Sequence, residues 1–412
     1  MINEKNKDVI CAAPWMHLYI DVLGAVKPCC TQDLKYGDAN RIGVYSDTRS
    51  IIDIWNSPAT VEFRKDLLDG VKQEGCKFCY NQEKHTGVSL RTSLNEQYGN
   101  LITESVTPEM QIKYFQVSSS NLCNMACVMC GPVFSSDWYD DDKELHKDKT
   151  VLSDKFYKIT KETEEDIIKN IINDELDLIY FTGGEPLITA YHYKLLDKMV
   201  SMNIANDIKL RYSTNLSTLK YKSFDIIEHW SHFKSVEVAA SIDMIGERAE
   251  LHRYGTDWEK ISKNLHTVRF DIPNVSLQPQ ITITALSIGY LPELLTYFID
   301  ELEFTDEETI HSNLVFETVA LNPQLLPTEV KQMYTKKLES FLENTKYKFL
   351  CESVIMSSVT YMNEVDKEQD FHLMTEYLNS LDRMRRTDWK SLWPEIAKLV
   401  PKNNLKIEVI DE

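Results

Sequence analysis

The chain has 412 residues, of which 43% are hydrophobic and 26% are charged, as is typical of a soluble globular protein with room for more than one domain. The formal net charge of −19 argues against a general nucleic-acid-binding protein, because such proteins neutralise phosphates with basic surfaces. No apolar run approaches the roughly 18 residues of a membrane span, and the N-terminus lacks the apolar core of a signal peptide, so we expect a cytoplasmic protein without membrane partners.

Residues 1–84 are predicted to form a small module rich in cysteine, glycine and proline. The stretch "WMHLYIDVLGAVKPCC" alternates apolar and polar residues and predicts a hairpin that turns at Gly24. The stretch "SIIDIWNSPATVEFRKDLLDGV" predicts helices interrupted at Pro58. A module of this size has little apolar mass, so we expect a bound metal to stabilise it. Residues 85–110 are polar and are predicted to be a linker.

Four cysteines of this module could form one closed site. The predicted hairpin would bring Cys11 close to Cys29, and the pair Cys76 and Cys79 would supply two further thiols. Four thiolates can bind zinc or an iron–sulfur cluster, and their spacing alone does not distinguish the two. We interpret Cys30 as a neighbour of this site and leave open whether it is a ligand.

Residues 111–322 show a different pattern. The β-rich segments are, in order, "QIKYFQVSSS", "LDLIYFTGG", "DIKLRYSTN", "SVEVAASID", "SLQPQITITAL" and "SNLVFETVAL". Segments long enough for helices separate most of them, which predicts βα units and a parallel sheet. We therefore predict an α/β fold, a partial (β/α)6 TIM-type barrel with a small Cys-rich α+β N-terminal module. A helical C-terminal region is predicted over residues 323–412.

A loop with three cysteines follows the first predicted barrel strand. Cys123, Cys127 and Cys130 are separated by three and by two residues, so one tight loop can direct all three thiols to a common point. Three thiolates can hold a [4Fe–4S] cluster and leave one iron open. Zinc would need a fourth ligand, and no histidine is close in sequence. The polar insertion that follows, up to about Lys161, predicts a solvated loop.

The cysteine motif and the strand ends resemble the radical S-adenosylmethionine (SAM) enzymes, over about residues 111–320. "YFTGGEP" resembles the GGE motif that holds the methionyl amino group of SAM, "YSTNLS" the ribose-binding position, and "SIDMIGE" with a later arginine a further SAM-contacting segment. Met129 stands before the last cysteine, where the family usually has an aromatic residue near adenine. The cofactor-binding residues implied are Met129, Gly183, Gly184, Glu185, Ser213, Asn215, Ser241 and Arg253.

Simple chemistry agrees with part of this assignment. Gly183 and Gly184 would let the backbone approach a ligand closely, and Glu185 offers an acceptor for an ammonium group. For Asp243 we favour the role of a strand-ending cap.

The N-terminal pattern C-x12-G-x4-C, with its later cysteine pair, resembles the Twitch and SPASM auxiliary-cluster modules of radical SAM enzymes. The resemblance implies that Cys11, Cys29, Cys76 and Cys79 hold a second, auxiliary [4Fe–4S] cluster. The module usually follows the barrel in the family, whereas here it precedes it.

The resemblance implies an oxidoreductase or maturase that reductively cleaves SAM and modifies a substrate C–H bond. The auxiliary cluster would accept an electron, and an external donor such as flavodoxin or ferredoxin would supply one. We favour a peptide or protein substrate. The alternatives are a radical SAM dehydrogenase of a small molecule and a non-catalytic zinc or iron–sulfur protein. The sequence identifies no residue that contacts the substrate.

Overall fold

A computed structural model describes residues 2–32, 43–44, 50–146, 159–315 and 318–400. Residues 147–158 of the predicted solvated insertion lie outside the described residues. Within the described ranges, no helix combines the length and the apolar character that crossing a bilayer requires.

The strands are β1 (His17–Ile20), β2 (Ala25–Lys27), β3 (Gly43–Val44), β4 (Tyr114–Ser118), β5 (Ala126–Cys127), β6 (Leu178–Thr182), β7 (Lys209–Thr214), β8 (Lys220–Tyr221), β9 (Phe224–Asp225), β10 (Ser235–Ser241), β11 (Arg253–Tyr254), β12 (Val275–Ile283) and β13 (His311–Leu314). The helices are α1 (Ala13–Met16), α2 (Ile51–Trp55), α3 (Pro58–Leu68), α4 (Lys77–Thr86), α5 (Leu90–Tyr98), α6 (Tyr139–His146), α7 (Lys161–Asn170), α8 (Ala190–Ser201), α9 (Ile226–Trp230), α10 (Gly246–His252), α11 (Trp258–His266), α12 (Leu291–Asp300), α13 (Thr328–Asn344), α14 (Lys348–Glu364), α15 (Phe371–Arg385), α16 (Trp389–Leu392) and α17 (Pro394–Ala397).

The six predicted barrel strands all form, and they run parallel in the spatial order β13-β12-β10-β7-β6-β4. Helices connect them on one face, and helices α13 to α17 form the C-terminal region. The predicted α/β fold, with a parallel sheet and a helical C-terminal region, is confirmed. The carboxyl ends of these strands therefore share one rim, where the polar strand ends meet.

The N-terminal hairpin extends this same sheet. Strand β1 pairs in parallel with β4, placing Leu18 opposite Phe115, and β2 pairs antiparallel with β1. The turn between β1 and β2 has Gly24 at φ +73°, and the Asp21 carboxylate accepts the N–H of Ala25 over 2.9 Å. The predicted hairpin is confirmed, and its pairing fixes the position of the N-terminal thiols relative to the barrel.

The segment predicted as a linker, residues 85–110, contains helix α5, which packs on the N-terminal module. Arg91 of this helix forms an ion pair with Glu83, and its Nη1 donates to the Ile10 carbonyl over 2.9 Å. Asn95 donates to the same carbonyl over 2.9 Å. The polar side chains that suggested a linker instead satisfy backbone groups of the module. The domain boundaries at residues 84, 110 and 322 stay predictions.

The inner face of the parallel sheet is polar. Outward-facing strand residues are buried under helices, whereas the alternate positions are polar and mostly half-exposed. One row across the strands consists of Gln116, Tyr180, Arg211, Glu237 and Ser276. A closed TIM barrel fills this space with apolar side chains, so this partial barrel keeps an interior that a polar ligand can enter.

Arg64 of α3 ties three segments of the N-terminal module together. The side chain is fully buried and donates to the carbonyls of Pro14 at 2.8 Å, Trp55 at 3.0 Å and Val106 at 3.1 Å. Its guanidinium also lies 4.2 Å from the centre of the Trp55 ring.

We expect Arg64→Met to lower the free energy of unfolding by about 3 kcal/mol, because three buried carbonyls lose their donor at about 1 kcal/mol each. Urea denaturation of the apoprotein would measure this difference. Lys65→Met, at the next and exposed position of the same helix, serves as the control and should change stability by less than about 0.5 kcal/mol. Equal stabilities of the two variants would contradict the prediction.

Candidate active site

The three rim cysteines lie in the loop after β4, which we call the cysteine loop (residues 119–133). Cys127 is buried, and Cys123 and Cys130 are half-buried. The Cys130 N–H donates to the Cys127 carbonyl over 2.9 Å, so the chain turns tightly between these two thiols. The loop stands at the rim formed by the carboxyl ends of the parallel strands.

The three thiols are close enough to influence one another. Burial raises the pKa of both Cys123 and Cys130 to about 12, and the Cys127 thiol contributes to each shift. Burial also raises the pKa of Cys127, although the Arg253 guanidinium opposes that shift. Three such thiols ionise together at neutral pH only when a metal supplies positive charge and displaces the protons. This donor set fits a [4Fe–4S] cluster held by three cysteines.

Gly183 and Gly184 place the turn after β6 directly on the cysteine loop. The N–H of Gly184 donates to the Ser120 carbonyl over 2.9 Å, and that of Glu185 donates to the Leu122 carbonyl over 2.7 Å. A Cβ on Gly184 would overlap the Leu122 carbonyl, and one on Gly183, which has φ +114°, would lie 2.7 Å from the Ser120 oxygen. The close approach is therefore to protein backbone, whereas the sequence suggested an approach to a ligand.

Glu185 is buried, and its carboxylate accepts three hydrogen bonds. Oε1 accepts from the Leu187 N–H at 2.9 Å and from the Thr214 hydroxyl at 2.7 Å, and Oε2 accepts from the Asn215 N–H at 2.7 Å. Burial raises the pKa of Glu185 to about 7, although these three donors oppose the shift. A carboxylate has about four acceptor sites, so the predicted contact with a SAM ammonium would have to use the last site, on Oε2.

The two residues predicted to bind the ribose lie in different places. The Asn215 amide donates to Asn124 of the cysteine loop over 3.1 Å and lies 3.9 Å from the Cys123 sulfur. Ser213 faces the polar interior of the sheet, where its hydroxyl is 2.6 Å from the Tyr180 hydroxyl. Asn215 thus supports the cysteine loop, and Ser213 lines the barrel interior.

A cavity of about 460 Å³ opens beside the cysteine loop. Three of the predicted cofactor residues line it, Met129, Ser241 and Arg253. The other lining residues are Cys127, Cys130, Gly131, Val133, Phe134, Thr282 and Thr318. A ligand in this cavity would meet two rim thiols, two threonine hydroxyls and one guanidinium, which suits a cofactor that carries a carboxylate.

Asp243 pairs with Arg253 below this cavity. Arg253 donates to both carboxylate oxygens, from Nε at 2.7 Å and from Nη2 at 3.1 Å, and the Thr282 N–H donates to Asp243 Oδ1 over 2.6 Å. Burial alone would raise the pKa of Asp243, but Arg253 and His252 outweigh it and lower the pKa to about 2. Asp243 is therefore an ionised anchor for Arg253, and not only the strand-ending cap that its position suggested.

Three residues that the sequence did not identify hold successive carbonyls of the cysteine loop. Trp138 Nε1 donates to the Cys127 carbonyl at 2.9 Å, the Tyr377 hydroxyl to that of Val128 at 2.6 Å, and the Thr318 hydroxyl to that of Met129 at 3.1 Å. Thr318 and Tyr377 are 189 and 249 residues away in the chain from the carbonyls that they bind, so no local motif could have revealed them.

The structure also brings the four N-terminal thiols together. Burial raises the pKa of Cys11, and the thiols of Cys29, Cys76 and Cys79 contribute to that shift. The Thr31 hydroxyl lies 3.4 Å from the Cys29 sulfur and 3.6 Å from that of Cys79. The four predicted auxiliary ligands thus form one group around the hairpin.

Cys30 is exposed, and its thiol lies close to the side chain of Gln116 on β4. Among the residues that the structure describes, no three His, Cys, Asp or Glu side chains converge closely enough to hold a single metal ion. A [4Fe–4S] cluster distributes its thiolates over separate irons, so its ligands need not meet at one point.

Comparison with known proteins identifies two regions. Residues 117–284 match the radical SAM superfamily, and residues 11–80 match the SPASM iron–sulfur cluster-binding domain. GTP 3′,8-cyclase of Campylobacter lari is 28% identical over 115 residues, which cover 28% of this chain and 31% of that enzyme.

Two solved structures show a more distant similarity. Native anSMEcpe with bound AdoMet has 18% identity and a TM-score of 0.36, over 56% of this chain and 59% of that one. SuiB of Streptococcus suis bound to S-adenosylmethionine has 12% identity and a TM-score of 0.35, over 70% of this chain and 64% of that one. The chain thus spans less than two thirds of the length of each of these relatives.

We expect Gly184→Ala to displace the cysteine loop, because the new methyl group would occupy the position of the Leu122 carbonyl. Iron bound per chain after anaerobic reconstitution should fall by about four atoms, the content of one cube, and the midpoint of thermal unfolding should drop. Gly131→Ala is the matched control, since a Cβ there has no neighbour within 4 Å. Normal iron content in Gly184→Ala would show that the loop tolerates the displacement.

A second prediction concerns the buried carboxylate of Glu185. A carboxyl group whose pKa is raised in the folded state, here to about 7, favours folding at low pH. This contribution is complete below the unfolded pKa of about 4.3 and is lost as the pH rises to 7. We therefore expect the stability of the wild-type apoprotein relative to Glu185→Gln to decrease between pH 4.5 and 7, as measured by urea denaturation. A difference that is constant or increases over this range would contradict the raised pKa.

Proposed function

We propose that this chain, which contains a radical SAM domain and an SPASM iron–sulfur domain, cleaves S-adenosylmethionine at its rim cysteines and oxidises a C–H bond of a peptide or protein. The observation that carries the proposal is the 460 Å³ cavity in which Cys127 and Cys130 meet Arg253 and Ser241. A cofactor that both contacts an open iron and presents a carboxylate would find partners there for both groups.

The chain's residues have distinct tasks in this proposal. When bound, a [4Fe–4S] cluster at the rim cysteines would supply the one-electron reduction that cleaves SAM and starts hydrogen abstraction from the substrate. A second cluster at Cys11, Cys29, Cys76 and Cys79 would supply an acceptor for the electron that remains on the substrate. Cys123, Cys127 and Cys130 would hold the rim cluster. Arg253 and the Ser241 hydroxyl would orient the methionyl carboxylate, each from the wall of the same cavity.

The polar interior of the partial barrel would receive the substrate. Its half-exposed hydroxyl, amide and charged groups can bind a polar chain by hydrogen bonds, and the interior is continuous with the strand ends that carry the rim cysteines. The proton released when the substrate is oxidised would leave through this polar interior. An external donor such as flavodoxin or ferredoxin would supply the electron for each turnover.

The exposed side chains at the opening of the cavity favour a peptide substrate over a small-molecule substrate. Sites for small molecules usually enclose most of the ligand surface. Here Phe134, in the cavity wall, is 43% exposed, and Val319, next to Thr318 of the wall, is 60% exposed. These two apolar side chains would offer contacts to a peptide that extends beyond the cavity.

The test of the proposal is anaerobic reconstitution with iron and sulfide, followed by reduction with dithionite, addition of SAM and assay of 5′-deoxyadenosine. We expect about eight irons per chain and formation of 5′-deoxyadenosine, because each of two cubes contains four irons. The variant with Cys123, Cys127 and Cys130 all changed to Ala should retain about four irons and lose SAM cleavage. Changing Cys76 and Cys79 to Ala should also leave about four irons but preserve SAM cleavage.

Cys351→Ala is the control for thiol loss, because Cys351 is buried in α14 outside both cysteine groups. Colourless, zinc-loaded protein without SAM cleavage would overturn the proposed function.

The substrate class has a separate readout. Deuterium transfer into 5′-deoxyadenosine from a deuterated peptide fraction would support the peptide proposal, and transfer only from a deuterated metabolite fraction would favour a small-molecule dehydrogenase.

A further inference from the structure

Arg253 lies directly beside one of the rim thiols. Strand β11 pairs antiparallel with β5, and this register places Arg253 opposite Cys127. The Arg253 Nη1 lies 3.8 Å from the Cys127 sulfur, within the range of an N–H···S hydrogen bond. The neighbouring Val128 N–H donates to the His252 carbonyl over 2.8 Å, which fixes the pairing of the two short strands.

Other contacts keep the Arg253 guanidinium in this position. Asp243 binds its Nε and Nη2, so only Nη1 is left to face the sulfur. His252 Nδ1 is 3.2 Å from the same carboxylate, and His252 Nε2 is 2.9 Å from the Thr284 hydroxyl. Asp243 and His252 are fully buried, so the arrangement has little freedom to relax.

The backbone after Arg253 also lies close against the cysteine loop. Gly255 has φ +102°, and a Cβ there would lie 2.8 Å from the Asn124 carbonyl oxygen. A second cation, Arg385 of α15, lies over the rings of Trp138 and Tyr254, 4.8 Å from each centre, and pairs with Asp141. Each of these two arginines is thus paired with a carboxylate, and of the two only Arg253 donates directly to a thiol.

We propose that Arg253 makes the rim cluster easier to reduce by donating a hydrogen bond to the Cys127 sulfur, and that Asp243 is the positioning residue that aims it. The inference rests on the proposed function, because it requires a cluster at the rim cysteines. Reduction adds one negative charge to the cluster. A hydrogen bond to a ligating sulfur stabilises that added charge and raises the reduction potential.

The experiment measures the midpoint potential of the rim cluster by EPR-monitored titration, without SAM or substrate, in the variant that lacks Cys76 and Cys79. We expect Arg253→Met to lower the ratio of reduced to oxidised cluster about tenfold at a fixed solution potential, a shift of about 59 mV for a one-electron couple. SAM binding cannot contribute to this result. Arg248→Met is the matched control, since Arg248 lies in α10 over the Tyr290 ring and bonds to the Leu392 carbonyl.

A double variant separates the hydrogen bond from the charge. Arg253→Met leaves Asp243 as an uncompensated buried anion, which could itself lower the potential or impair folding. Arg253→Met combined with Asp243→Asn keeps the net charge of the pair at zero. We expect the ratio of reduced to oxidised cluster in this double variant to stay at least threefold below that of the wild-type rim cluster, because the hydrogen bond is lost. A wild-type ratio in the double variant would overturn the proposal.

Pulsed ENDOR of the reduced wild-type cluster provides a spectroscopic signature. We expect a coupling to a proton that exchanges in D2O, separate from any coupling to the Asn215 amide beside Cys123, and this coupling should be absent in both Arg253 variants. Its persistence in those variants would assign the proton to another group and overturn the inference. Failure of the wild-type protein to assemble any rim cluster would instead overturn the proposed function, which distinguishes the two failures.

Discussion

Close packing between two stretches of backbone, the cysteine loop and the turn at residues 183–185, is the constraint on which the site depends. The two N–H groups of Gly184 and Glu185 donate to loop carbonyls, and the absence of a Cβ at Gly184 allows the contact. Glu185 then extends the arrangement by binding the start of the segment after β7. One turn therefore sets the positions of the rim thiols relative to two neighbouring strands.

The insertion, the segment after β13 and helix α15 each contribute a side chain that holds the backbone of the same loop. Trp138, Thr318 and Tyr377 donate to three successive carbonyls of this loop, in addition to the two bound by Gly184 and Glu185. A loop that must present three thiols in one geometry gains from such support, because each unpaired buried carbonyl would cost about 1–3 kcal/mol. The C-terminal helical region is thus part of the site's construction as well as part of the core.

The N-terminal hairpin relates the second thiol group to the first. Because β1 pairs with β4, the strand that leads into the cysteine loop, one sheet carries both groups. The backbone pairing of these two strands therefore limits how far the two thiol groups can move relative to each other. The position of the SPASM domain before the barrel is therefore compatible with its pairing to the first barrel strand.

The sequence by itself determined the parallel barrel strands, the hairpin at Gly24 and the grouping of the cysteines, because periodicity, turn residues and thiol spacing are local signals. It could not predict that residues 85–110 contain a packed helix, since polar side chains such as Arg91 and Asn95 resemble those of a linker until their backbone partners are known. Only the tertiary structure decided the role of Asp243 and the supports of the cysteine loop. These depend on hydrogen bonds between residues that are far apart in the chain, and folding rather than spacing brings them together.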